Sequence, residues 1–161
     1  MIFGGSLAHA QTKGEYSLGT GAGYYSPGER KMLTFYLEYV LDEEWSIGYY
    51  LGAFDTWDNY HKMVVAFPFG VNFRHYPIED LYLGFLAGFH WTLKKYSSGL
   101  DVDWYAEGGA EVGYDIKLSE QFYLAPQLRY SLVIDFTRDV DHSFESEFMA
   151  WHWSLVGKWY F

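Results

Sequence analysis

The segment Lys31-Met32-Leu33-Thr34-Phe35-Tyr36-Leu37-Glu38-Tyr39-Val40-Leu41 is followed by Asp42-Glu43-Glu44 and Trp45-Ser46-Ile47-Gly48-Tyr49-Tyr50-Leu51-Gly52. Leu33, Phe35, Leu37, Tyr39 and Leu41 fall on one parity, against Met32, Thr34, Tyr36 and Glu38 on the other. After the acidic turn, Trp45, Ile47, Tyr49 and Leu51 alternate with Ser46, Gly48, Tyr50 and Gly52. Successive side chains leave a strand on opposite sides, so this period of two predicts a hairpin with two chemically different faces.

The same period extends in both directions. Upstream, residues 15–25 set Tyr16, Leu18, Thr20, Ala22 and Tyr24 against Ser17, Gly19, Gly21 and Gly23. Downstream, strands are expected at 62–75, 81–93, 104–116, 122–135 and 148–161, with no convincing helix. Connections 42–44, 76–80 and 117–121 are compact, whereas 55–61, 94–103 and 136–147 are longer. Eight such strands predict an all-β, eight-stranded antiparallel up-and-down transmembrane β-barrel, because tilted strands of ~9–11 residues cross a bilayer and outer-membrane barrels alternate short periplasmic turns with longer outer loops. Both termini then lie on the periplasmic side.

Composition narrows the classes. The 161 residues include no cysteine, which removes disulfide scaffolds and Cys-ligated metal sites. A formal charge of −10 argues against nucleic acid, which needs clustered Lys and Arg. No run approaches the ~20 apolar residues of a transmembrane helix. The start, Met1 to Ala10, ends in Ala8-His9-Ala10 and reads as the remnant of a signal peptide, with one barrel domain over 11–161.

Volume decides which face points outward. One face holds nearly all the Phe, Trp and Leu, and the other holds the glycines, several tyrosines and most strand charges. An eight-stranded interior has room only for modest interdigitating side chains, so the aromatic face must meet lipid. The rings also sort by depth. Tyr16, Tyr39, Trp45, Tyr114, Trp159 and Phe161 fall near the periplasmic ends and Tyr24, Trp91, Trp104 and Trp151 near the outer ends, with aliphatic residues between. Two aromatic girdles suit rings with an apolar body and a polar tip.

These eight alternating strands, with the terminal Val156-Gly157-Lys158-Trp159-Tyr160-Phe161, resemble the small outer-membrane β-barrel superfamily, the class of OmpX and the OmpA transmembrane domain. The resemblance implies a Gram-negative-type outer membrane, contact with its lipid and lipopolysaccharide, and a C-terminal strand read by barrel-assembly machinery. It is specific for architecture and weak for function, since the superfamily spans adhesion, structural, transport and enzymatic members.

Four groups of residues bear on chemistry. Inward Glu38, Glu111 and Asp115 against Arg74, Arg129 and Lys158 are expected to pair and fill the lumen, because unpaired charge is costly at low dielectric. His90, Glu107 and His152 point inward and are of types that ligate Zn²⁺ or transfer protons, although a hydrogen-bonded plug is the simpler expectation. His152-Trp153-Ser154 resembles the His and Ser of the outer-membrane lipid A deacylases, with Glu107 as a candidate carboxylate. Here Leu155 replaces that family's Asn, and the pair points away from lipid. Asp55, Asp58, Asp101, Asp103, Asp139, Asp141, Glu145 and Glu147 give acidic outer loops, expected to be a solvated surface or a weak Ca²⁺ or Mg²⁺ site. No cofactor is expected. The leading expectation is a non-enzymatic structural or interaction-bearing barrel, including an accessory subunit of a larger membrane protein. The alternatives are a lipid-modifying enzyme and a soluble lipocalin-like barrel with its faces reversed.

Overall fold

The computed structural model describes residues 13–26, 30–57, 63–78, 80–96, 99–135 and 148–161. The presumed signal remnant and most of the acidic loop residues lie outside that set. The strands are β1 (Tyr16–Ser26), β2 (Arg30–Val40), β3 (Trp45–Trp57), β4 (Met63–Ile78), β5 (Leu81–Tyr96), β6 (Gly99–Tyr114), β7 (Ile116–Lys117), β8 (Phe122–Asp135) and β9 (Phe148–Tyr160). From β1 to β6 neighbours in sequence pair antiparallel, β8 pairs with β6, β7 and β9, and β1 pairs with β9, so the sheet closes into an up-and-down barrel of eight long strands.

The two-residue β7 continues β6. The register Gly113↔Gln127 carries unchanged to Ile116↔Leu124, which puts Pro126 opposite Tyr114. A proline has no N–H to give the ladder, and the strand is interrupted there. Pro68 acts similarly in β4: pairing with β3 lapses at Gly52 and Ala53, between Leu51↔Phe69 and Phe54↔Ala66.

Three boundaries differ from the sequence-based expectation. The loop expected at 55–61 begins as ladder, with Asp55↔Val65, Thr56↔Val64 and Trp57↔Met63 in register. The loop expected at 94–103 is mostly ladder, with Lys94↔Asp101, Lys95↔Leu100 and Tyr96↔Gly99 in register and Gly99 at φ 148°. Positive φ suits glycine, which lacks a Cβ, and lets the hairpin turn at its tip. The turn expected at 76–80 instead holds the end of β4, where Tyr76 keeps the inward parity of Asn72 and Arg74 and the register with β5 shifts between His75 and Ile78. Asp80 closes that turn at φ 66°, a conformation Asp tolerates better than most residues.

Burial follows the alternation strictly, as β1 shows with Ser17, Gly19, Gly21, Gly23 and Tyr25 inside and Tyr16, Leu18, Thr20, Ala22 and Tyr24 outside. The exterior is apolar: Phe85 is 75% exposed, Met149 65% and Phe35 57%. Gly70 and Gly88 face each other across β4 and β5, and a Cβ on Gly88 would lie 2.3 Å from the Phe69 carbonyl oxygen and 2.5 Å from the Tyr50 hydroxyl. Gly108, on the outward face of β6, has nothing within 4 Å of such a Cβ. Gly88→Val is therefore expected to cost about 1–3 kcal/mol through overpacking, and Gly108→Ala to be neutral or to gain about 0.4–1 kcal/mol by restricting the unfolded chain. Urea midpoints of the two refolded variants check the contrast.

Candidate functional site: the barrel lumen

Side chains fill the lumen in sections. At the end where Glu15, Phe161 and the compact turns lie, Val40, Tyr123 and Tyr160 pack together. At the opposite, loop end, Tyr25, Met32, Phe54, Ala66, Val133 and Ala150 form an apolar cluster. Charge lies between them.

Glu38 on β2 is the first node. Its carboxylate accepts hydrogen bonds from Ser46 Oγ at 2.5 Å, Arg74 Nη1 at 2.8 Å and Tyr76 Oη at 3.1 Å, and Lys158 Nζ stands 3.3 Å away. Arg74 reaches across to Glu111, donating from Nε at 2.6 Å, while Asn72 Nδ2 donates to the same oxygen at 2.8 Å. The other Glu111 oxygen accepts from Arg129 Nε at 2.9 Å. Lys158 Nζ donates to Asp115 at 2.9 Å, and Tyr76 and Tyr160 complete that end at 3.4 Å each. The chain of pairs thus runs Asp115, Lys158, Glu38, Arg74, Glu111, Arg129: three acids and three bases, all buried. Tyrosine rings flank the cations, with Arg74 Cζ 4.5 Å from the Tyr82 centroid and Arg129 Cζ 4.7 Å from that of Tyr50. Such a network stays buried only because each charge meets its opposite and a set of oriented hydroxyls and amides.

His90 and Glu107 sit nearer the loop end. The ladder pairs His90 with Tyr105 and Gly88 with Glu107, so the two are diagonal neighbours on the inward face. His90 Nε2 lies 2.6 Å from Glu107 Oε2, which also accepts from Tyr50 Oη at 3.0 Å. His152 stands opposite Arg129 instead. Its Nε2, and Ser154 Oγ, meet no hydrogen-bond partner among the described residues, so His and Ser share a face without the bond that would activate a nucleophile. Among the described residues, no three His, Asp or Glu side chains are arranged to hold a metal ion. His90, Glu107 and His152 are thus brought near one another as a pair and a bystander.

Sequence reasoning missed Tyr76 as a lumen residue and the apolar cluster at the loop end. Both were signalled by the same period: Tyr76 continues Asn72 and Arg74, and Phe54 continues Tyr50 and Gly52.

On the exterior, the rings form two rows of contacts. At the turn end Tyr16 lies 4.8 Å from Tyr39 and 6.3 Å from Phe161, Phe122 lies 6.4 Å from Trp159, and Trp45 meets His75 at 4.5 Å. At the loop end the pairs are Tyr24–Trp153, Phe67–Trp91, Trp91–Trp104 and Tyr130–Trp151. Tyr114, at the turn end, is also exposed. The apolar side of this closed sheet is its outside.

Solved structures share that arrangement. Neisserial surface protein A superposes with a TM-score of 0.69 at 8% identity, covering 91% of this chain and 96% of the other. The attachment invasion locus protein Ail of Yersinia pestis gives 0.59 at 10%, covering 93% and 100%. The N-terminal barrel of Pseudomonas aeruginosa OprF gives 0.55 at 14%, covering 94% and 100%. The fold is that of the small outer-membrane β-barrels. No protein-family model matches the sequence, and no curated protein does. The small outer-membrane barrels share architecture across sequences this divergent because the strand alternation, and not particular residues, specifies which face meets lipid.

Proposed function

We propose that the protein is an integral outer-membrane barrel of a Gram-negative-type envelope, with a structural or protein-interaction role and no catalytic one, including service as an accessory subunit of a larger complex. The observation that carries this reading is a closed barrel with an apolar exterior around a charge-balanced interior. Lipid accepts the first, and only an internal network accommodates the second. Buried Tyr36, Tyr50 and Tyr82 cross the lumen beside the ion pairs, which favours a plugged cylinder over a water-filled channel. The two rows of rings suit the two interfaces of a bilayer, with the turn end and both termini periplasmic. Barrel-assembly machinery would then engage β9.

Heat-modifiable gel migration of detergent-extracted protein is the expected result, with no stable conductance in planar bilayers. Recovery in the soluble periplasmic fraction would instead indicate a lipocalin-like barrel. Affinity purification from native membranes in mild detergent would identify an accessory role by a stoichiometric partner.

A further inference from the structure

We infer that the outward face of β1 to β4, near the loop end, is a binding site for one phosphate-bearing, acylated lipid of the outer leaflet. This inference rests on the outer-membrane reading above. It begins with a groove of about 640 Å³, within the size range of ligand sites, roughly 300–1,000 Å³. Ala22 and Ala53 form its floor, and Leu33 lies between them in the cross-strand register Ala22↔Leu33↔Ala53. The small side chains of Ala22 and Ala53, on either side of Leu33, leave a trough that a saturated chain fills better than it fills a convex wall.

The second observation is charge. Among strand residues whose side chains are described, Lys31 is the only Lys, Arg, Asp or Glu on the outward face. It is exposed, makes no ion pair with a described residue, and lines the groove at its loop-end rim. The row across the sheet is Trp153, Tyr24, Lys31, with the two rings stacked at 4.9 Å. Two rings with polar tips and one ammonium at headgroup depth, above an apolar trough, match a lipid whose phosphate sits beside its chains. Among the described side chains of this face, no other Lys or Arg is available to attract an anionic headgroup.

The test uses the full chain refolded in detergent micelles and native mass spectrometry, with bisphosphorylated lipid A as probe and dephosphorylated lipid A and phosphatidylglycerol as comparisons. Wild type is expected to retain one lipid A, with the dephosphorylated form held more weakly and phosphatidylglycerol, which also carries a phosphate beside its chains, competing for the same place. Lys31→Gln is expected to lower retention about fivefold, the effect of one lysine at a charged lipid surface. Ala53→Phe, which fills the trough, should lower it comparably. Asp55 follows Phe54, the register partner of Met32, on β3, and Asp55→Asn should leave retention unchanged or raise it. Equal retention of lipid A by wild type, Lys31→Gln and Ala53→Phe overturns the site, as does dephosphorylated lipid A held as tightly as the bisphosphorylated form. Heat-modifiable migration of every variant separates the outcomes: a folded barrel without selectivity refutes the lipid site alone, whereas loss of heat modifiability in wild type refutes the outer-membrane reading.

Discussion

Replacing Glu111 with leucine is expected to lower the barrel's stability by about 3–5 kcal/mol, the range for removing one partner from a buried ionic network. Glu111 is the shared anion of Arg74 and Arg129 and also accepts from Asn72. Its loss leaves Arg129 with no carboxylate and Arg74 with Glu38 alone, both inside a wall that excludes water. Adding Arg129→Leu restores the balance, because Asp115, Lys158, Glu38 and Arg74 remain as two acids and two bases. The double variant should therefore recover more than half of the loss. Urea unfolding in micelles, followed by tryptophan fluorescence, measures both. A single-variant cost under about 1 kcal/mol, the level of a solvated pair, would mean that water reaches the network.

The second large effect concerns the outside. Phe35→Arg is expected to cost about 2–4 kcal/mol in a bilayer, the range for a cation near the hydrocarbon midplane of a barrel. Phe35 lies between Thr20 and Leu51 in register, in the middle of β2 and away from both rows of rings. An arginine there has no interface within easy reach. In a water-soluble barrel the same change would be a surface substitution worth within about 0.5 kcal/mol either way. Reversible folding into vesicles, compared with Leu118→Arg in the turn between β7 and β8, reads the depth dependence directly.

How far the sequence reveals this molecule depends on which physical rule acts at each place. The faces of the long strands are legible because parity alone assigns them, and it places Gly19, Tyr36, Asn72 and Arg74 inside. Strand ends were less legible. Lys94-Lys95-Tyr96 looks like a loop by polarity, but near the rim of a barrel both faces can be wet, so polarity no longer marks where a ladder stops. β4 runs on through Pro77, which reads as a turn signal, and so keeps Tyr76 on the inward parity. Pairings among inward residues were harder still. Which acid meets which base depends on the stagger between strands, and that is set by closure of the whole sheet. Parity puts His90, Glu107 and His152 on the lumen side, but only the register makes the first two diagonal neighbours and places the third against Arg129.

The β1–β9 seam has a kinetic consequence. Its ten rungs, from Ser17↔Tyr160 to Ser26↔Trp151, join the two ends of the described barrel. Every other long strand pairs with its neighbour in the chain, so hairpins can form locally and early. The last contact has the greatest sequence separation, and its loop-closure entropy must be met before the pairing rewards it. Until then both seam strands present unpaired N–H and C=O groups, an adhesive edge in water and a forbidden one in lipid. Folding should therefore be slow and all-or-none at its final step, with the half-built sheet in need of an escort until the cylinder shuts.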